Sequence, residues 1–90
     1  MEKLFKILKQ EKMIWIEVER KNAKEFLKIL KNLNFKWLNG KNINIDSDKP
    51  FFHLSIDSNG TLANVAMFAW LSPDSKKIKK ITFEDFKKLI

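Results

Sequence analysis

A β-hairpin centred on Asn59-Gly60 is the sequence feature that most constrains the fold. The stretch 51–71 reads FFHLSIDSNGTLANVAMFAWL, with apolar-rich runs on both sides of a dipeptide that suits a tight turn. A two-residue turn pairs Ser58 with Thr61. Continued outward, this register predicts the pairs Ile56–Ala63, Leu54–Val65 and Phe52–Met67. One face of the hairpin is then wholly apolar, so the sequence predicts two antiparallel strands with a core-facing side.

The opposite face of the predicted hairpin is mixed. It carries His53, Ser55 and Asp57 on one strand and the run Leu62, Asn64, Ala66, Phe68 and Trp70 on the other, with Phe51 at the aromatic end. Trp15 from an earlier strand can join this face. In one interpretation a helix over 2–11 covers these aromatic side chains. In the other they form an apolar patch that binds a ligand or makes a homodimer.

A strand and a helix precede the hairpin. Residues 13–19 alternate, with Ile14, Ile16 and Val18 on one side, which is the pattern of a half-buried strand. Asn22 and Glu25 resemble a capping box, and they predict a helix over 23–33. Its apolar side chains are Phe26, Leu27, Leu30 and Leu33, and its opposite stripe carries Lys24, Lys28 and Lys31.

The stretch NFKWLNG, residues 34–40, ends this helix. Asparagine tolerates the left-handed conformation after a helix, so Asn34 is predicted to end it there, with Phe35 folding back on the last turn. Residues 36–38 then form a short strand, and Asn39-Gly40 reverses the chain. The polar segment 41–50 is predicted to be a loop.

The two ends of the chain carry short helices. Residues 2–11 place Leu4, Phe5, Ile7 and Leu8 among lysines in an amphipathic pattern. Near the other end, Thr82 is predicted to cap a last helix with Asp85 in its third position, and Ile81 to pack on Phe86. Together these elements predict a single α+β domain over 1–90, with an antiparallel sheet of about four strands packed on one main helix.

The net charge of +7 invites an anionic partner. Seventeen of the eighteen basic residues are lysine, and Arg20 is the only arginine. Because the rigid guanidinium fork is arginine's chemistry, this surface is poorly suited to bidentate recognition of bases and phosphates. The abundance of Lys, Asn and Ile also fits codon bias in an AT-rich genome, so the charge reflects either a partner or this bias.

No catalytic or metal-binding constellation is predicted. His53, Ser55 and Asp57 lie on one strand face, but alternate residues are about 6.5–7 Å apart, which puts Asp57 about 13 Å from His53. A triad needs histidine in contact with both partners. The single histidine with Asp46, Asp48 and Asp57 matches no zinc spacing, and the chain has no cysteine. We therefore expect a protein that is not an enzyme and that needs no cofactor or metal.

The candidate binding residues are aromatic side chains and a cluster of lysines. Aromatic platforms within a basic surface are the combination used by proteins that bind single-stranded nucleic acid. The alternative interpretation is that the lysines are a solvated surface and the tryptophans belong to the core. The candidates are Trp15, Trp37, Phe51, Phe68, Trp70, Lys76, Lys77, Lys79 and Lys80.

Two stretches carry a family resemblance: LKNLNFKWLNG at 30–40 and ITFEDF at 81–86. Between Ile14 and Phe86 the chain resembles small accessory proteins encoded by bacteriophages and prophages of low-GC bacteria. In these a helix runs into the pattern G-[F/Y]-x-W-x-x-G, and the chain closes near I-T-F-E-[D/E]-F. Asn34 stands where that family has glycine, and it preserves the left-handed conformation.

The resemblance implies a counter-defence protein of the anti-CRISPR type, which inhibits a bacterial immune system by stoichiometric binding. The partners it implies are a host immune effector protein or ribonucleoprotein, with RNA contact, or a phosphorylated nucleotide ligand. The expected location is the cytoplasm of the host cell, with no membrane partner. A small basic nucleic-acid-binding accessory protein is the alternative function.

Overall fold

Five strands form one mixed sheet in the computed structural model, which describes residues 2–44 and 53–90. The strands are β1 (Met13–Glu17), β2 (Lys36–Trp37), β3 (His53–Asp57), β4 (Thr61–Asn64) and β5 (Lys79–Thr82), in the spatial order β2-β4-β3-β1-β5. The helices are α1 (Glu2–Glu11), α2 (Ala23–Asn32), α3 (Met67–Leu71) and α4 (Phe83–Lys87). Two 3₁₀ helices, Arg20–Asn22 and Pro73–Lys77, complete the elements. Phe51, Phe52, Asp46, Asp48 and most of the predicted 41–50 loop lie outside the described residues.

The α+β class is confirmed, but the sheet is not purely antiparallel. β1 pairs with β3, and β3 with β4, in the antiparallel sense, whereas β1–β5 and β2–β4 are parallel pairs. β5 was not predicted, because its sequence KKIT looks like part of a basic run. An edge strand needs only one apolar anchor, and Ile81 provides it by lying beside Ile16 in the register.

The hairpin exists, but its predicted register is wrong by one residue. The observed pairs are Leu54–Asn64, Ser55–Ala63 and Ile56–Leu62, so the loop holds three residues rather than two. A carboxylate oxygen of Asp57 accepts hydrogen bonds from the backbone N–H groups of Asn59 (2.9 Å) and Thr61 (3.0 Å). Gly60 takes the left-handed conformation, with φ of 76°. The shift turns Leu62 into the core and leaves Ala63 on the other face.

One face of the sheet carries the core. Ile14, Ile16 and Val18 are fully buried, as predicted. Helix α1 contributes Leu4 and Leu8 to the same core, so it covers this face and not the mixed face assigned to it as one interpretation. The predicted single main helix is also too simple, because α2 and α4 both pack here. Their aromatic rings meet edge to face in the pairs Phe26–Phe83 and Phe26–Phe86.

The ends of the helices show which local predictions succeed. α2 ends as predicted: Asn34 has a φ of 64°, and the N–H of buried Phe35 donates to the carbonyl of Leu30 at 3.1 Å. The hydroxyl of Thr82 caps α4 by accepting from the N–H of Asp85 at 3.1 Å. The capping-box prediction for Asn22 is wrong. The chain enters α2 through a 3₁₀ turn, and the Asn22 side chain makes no capping hydrogen bond.

The left-handed residue at the end of α2 gives a first prediction. Asn34→Ala is expected to reduce the free energy of unfolding by about 1 kcal/mol, since alanine tolerates that conformation poorly, whereas Asn34→Gly is neutral or slightly stabilising. The matched control is Asn32→Ala, the same change at an exposed helical position, where we expect no loss. Urea unfolding of the three variants is the measurement. Equal loss in Asn32→Ala and Asn34→Ala would contradict the cap.

A second prediction compares the two glycines, both of which have positive φ. Gly40→Ala should cost about 1 kcal/mol from backbone strain alone, because no atom lies within 4 Å of the added Cβ. Gly60→Ala should cost more, because its Cβ would lie 3.1 Å from the ring of buried Phe35. A cost for Gly60→Ala no larger than that for Gly40→Ala in thermal unfolding would show that the ring moves aside freely.

Candidate functional site

The face of the sheet opposite the core holds most of the polar and aromatic strand residues. Strand alternation and the observed register place Trp15 and Glu17 of β1 beside Ser55 and His53 of β3, and place Lys80 of β5 beside Trp15. Among the described helices, α1, α2 and α4 contribute to the core on the other side. The second face is instead contacted by the segment made of α3 and the following 3₁₀ helix, residues 67–77.

Trp70 attaches this segment to the sheet. Its ring stacks on Trp15, with centroids 5.9 Å apart and an interplanar angle of 21°. It also stacks on His53, with centroids 4.2 Å apart and an angle of 29°. The prediction that Phe68 and Trp70 lie on a strand is therefore wrong. The chain leaves the sheet after Asn64 and turns into α3, which carries Trp70 back over the two strands.

Lys80 locks the same cluster from the side. Its ammonium donates to the hydroxyl oxygen of Ser75 at 2.7 Å and to the Ser75 carbonyl at 3.0 Å. It also lies 5.8 Å from the Trp15 ring centroid and 5.7 Å from that of Trp70. The buried Ser75 hydroxyl is 2.9 Å from the carbonyl of Trp70, to which it can donate. Lys80 thus joins β5, the 3₁₀ helix and α3, and its charge is used inside the protein.

A shallow apolar groove lies next to this cluster. It has a volume of about 310 Å³ and is lined by Trp15, Phe68, Ala69, Ser72, Asp74, Ser75 and Ile78. The outer side of α3 is apolar as well: Phe68 is 81% exposed, Leu71 73% and Met67 59%. Large apolar side chains this exposed on one short helix are unusual for a surface that faces only water. Met67 was predicted to face the core, and the end of β4 at Asn64 explains why it does not.

The structure brings some of the predicted site residues together and separates others. Trp15, Trp70 and Lys80 form one cluster, with Phe68 at its groove, and Lys76 and Lys77 lie exposed on the adjoining 3₁₀ helix. Lys79 pairs beside Ile14, so its side chain leaves the sheet on the core-bearing face.

Two further candidates do not belong to this cluster. Trp37 lies in β2, at the opposite edge of the sheet, where it is half-buried and packs against the core. Phe51 lies outside the described residues. Sequence reasoning missed His53 and Ser75 as members of the cluster. The placement of His53 on the strand face shared with Trp15 was a usable signal for His53, whereas nothing in the turn sequence around Ser75 indicated its partner.

The polar residues that could suggest catalysis have structural contacts instead. His53 is buried beneath Trp70, the Ser55 hydroxyl donates to the Ala63 carbonyl at 3.4 Å, and Asp57 holds the hairpin loop. Across residues 2–44 and 53–90, no group of three or more His, Cys, Asp or Glu side chains could hold a metal ion. Within the same ranges, no helix combines the length and apolar character needed to cross a membrane.

Comparison with known proteins finds no match: no protein-family model, curated protein or solved structure is detectably similar to this chain. Functional inference therefore depends on the residues of this chain and their geometry.

The internal role of Lys80 gives a third prediction. Lys80→Met keeps the aliphatic stem but removes the ammonium, its two hydrogen bonds to Ser75 and its contact with both indole rings. We expect a loss of about 1 kcal/mol in the free energy of unfolding. The control is Lys79→Met, the exposed neighbour, for which a change within about 0.5 kcal/mol is expected. Denaturant unfolding followed by tryptophan fluorescence measures both, and equal effects would show that the Lys80 contacts contribute nothing.

Proposed function

We propose that this protein is a non-catalytic phage counter-defence protein that inhibits a bacterial immune system by stoichiometric binding. The observation that carries the binding role is the exposed apolar side of α3, where Met67, Phe68 and Leu71 face outward beside the lysines of the 3₁₀ helix. Such a surface is typical of a protein–protein contact. The counter-defence setting comes from the resemblance of residues 30–40 and 81–86 to phage accessory proteins.

Binding rather than catalysis is favoured by how the polar side chains are used. A general base must reach a substrate proton, and the imidazole of His53 is stacked against Trp70. The Asp57 carboxylate is committed to two backbone N–H groups of the hairpin loop. The target we propose is an effector complex or its nucleotide ligand.

Nucleic-acid binding is the second candidate, and one observation favours it. The ring of Phe68 is almost fully exposed close to Lys76 and Lys77, which is an arrangement that can stack a base and neutralise its phosphate. A binder of this kind loses affinity steeply between about 50 and 200 mM salt. Affinity for single-stranded nucleic acid that is absent, or insensitive to salt, would remove this candidate.

The fourth prediction tests the proposed function in a host that carries a defined immune system. Expression of the protein should restore plaque formation by a sensitive phage, and only when its level matches that of the immune effector, because a stoichiometric inhibitor does not turn over. The double variant Phe68→Ala/Leu71→Ala should lose about tenfold or more of this protection, since these side chains are among the most exposed apolar groups.

Two control variants separate binding through α3 from catalysis and from a general loss of surface apolarity. Leu38→Ala removes an equally exposed leucine (73%) from the far edge of the sheet, and protection should persist. His53→Phe keeps an aromatic ring against Trp70 but removes the imidazole nitrogens, and protection should persist there too. A folded but inactive His53→Phe protein, or protection at levels far below those of the effector, would favour catalysis over binding.

A further inference from the structure

We infer that the groove beside α3 docks an acidic protein segment that inserts one bulky apolar side chain. This inference specifies the partner chemistry of the proposed function and rests on its binding character. Three features of the described residues carry it: the shape and apolarity of the groove, the unpaired lysines next to it, and the internal use of the indole rings.

The groove provides the apolar part of the recognition. Trp15, Ala69 and Ile78 contribute to its walls, and Phe68 stands at its margin with most of its ring in water. Its volume of about 310 Å³ is enough for one large side chain. Leu71 lies one helical turn after Met67, so both extend the same apolar strip on α3. A helical partner that places apolar residues at a similar spacing matches this strip.

The adjoining lysines provide the charge preference. Lys76 and Lys77 are exposed, and no carboxylate in the described part of the chain forms an ion pair with either of them. Asp74 lies in the groove itself, so partner carboxylates belong on the Lys76–Lys77 side and not in the groove. The net charge of +7 adds a long-range attraction for acidic partners. An acidic segment with an apolar anchor complements both parts of the surface.

The same geometry disfavours nucleic acid. Stacking needs free aromatic faces, but Trp15 and Trp70 stack on each other and Lys80 occupies the space beside both rings. Among the described residues of this surface, Phe68 is then the one ring with a largely free face, and its neighbours Met67 and Leu71 are aliphatic. Aliphatic side chains pack well against protein but offer no flat surface to a base.

A second copy of the chain is also a poor occupant. A symmetric contact through α3 would place Lys76 and Lys77 of one copy close to the same lysines of the other. Like charges brought together at an interface cost energy, and each copy carries a net charge of +7. An acidic partner gains energy from the same groups.

The test uses a fluorescein-labelled helical peptide of about four turns, with Leu and Phe at one-turn spacing and glutamate elsewhere. Two control peptides replace either every glutamate by lysine or every apolar residue by serine. We expect the acidic amphipathic peptide to bind at least about tenfold more tightly than either control in fluorescence anisotropy. Equal binding of the lysine and glutamate peptides would overturn the charge assignment.

Matched variants locate the site. Leu71→Ala should weaken binding of the acidic peptide about tenfold, whereas Leu38→Ala, a leucine of equal exposure in a distant place, should leave it unchanged. Lys76→Glu/Lys77→Glu should weaken it at least as much. The charge-matched control Lys24→Glu/Lys28→Glu, on the exposed stripe of α2, should have little effect. Because all these side chains are exposed, the fold is expected to survive, and circular dichroism checks this.

Three outcomes overturn the inference. They are equal effects of Leu71→Ala and Leu38→Ala, tighter binding of oligothymidine of about 20 nucleotides at the same site, and a dimer that Leu71→Ala dissociates in sedimentation. None of them decides the proposed function, which the phage assay tests separately. Conversely, peptide binding without any protection from host immunity would retain the docking site and remove the counter-defence role.

Discussion

Burial of β1 is the constraint on which the rest of the structure depends. This strand pairs with β3 on one side and β5 on the other, and its alternating side chains organise both faces of the sheet. Ile14 and Ile16 enter the core shared with three helices, while Trp15, between them, becomes the platform for Trp70. One strand of five residues therefore determines where the core lies and where the second layer attaches.

The two faces of the sheet are covered unequally, and the candidate site follows from that inequality. On the core face, α1, α2 and α4 bury their apolar side chains almost completely. On the other face, the segment 67–77 is held by the Trp70 stack and by the contacts of Lys80 with Ser75. A helix of five residues that turns Trp70 toward the sheet has too few positions to bury its other large side chains. Phe68 and Leu71 remain outside, available to a partner.

The basic run near the end of the chain divides into separate roles. Lys80 neutralises no partner group, because its ammonium is occupied by Ser75 and two indole rings. Lys79 leaves the sheet on the opposite face, and Lys76 and Lys77 face solvent on the 3₁₀ helix. The sequence presents these four lysines as one cluster. Strand alternation and one buried hydroxyl separate them, so only part of the run is available for recognition.

The sequence by itself determined the features that depend on neighbouring residues. Ile14, Ile16 and Val18 alternate, Asn34 takes a left-handed conformation, and Thr82 caps a helix, because each of these follows from local backbone chemistry. The tertiary structure decided the hairpin register, through the Asp57 carboxylate that holds a three-residue loop. It also made β5 a strand and folded 67–71 into a helix over Trp15. These outcomes depend on contacts between residues distant in sequence, whose energies no local pattern contains.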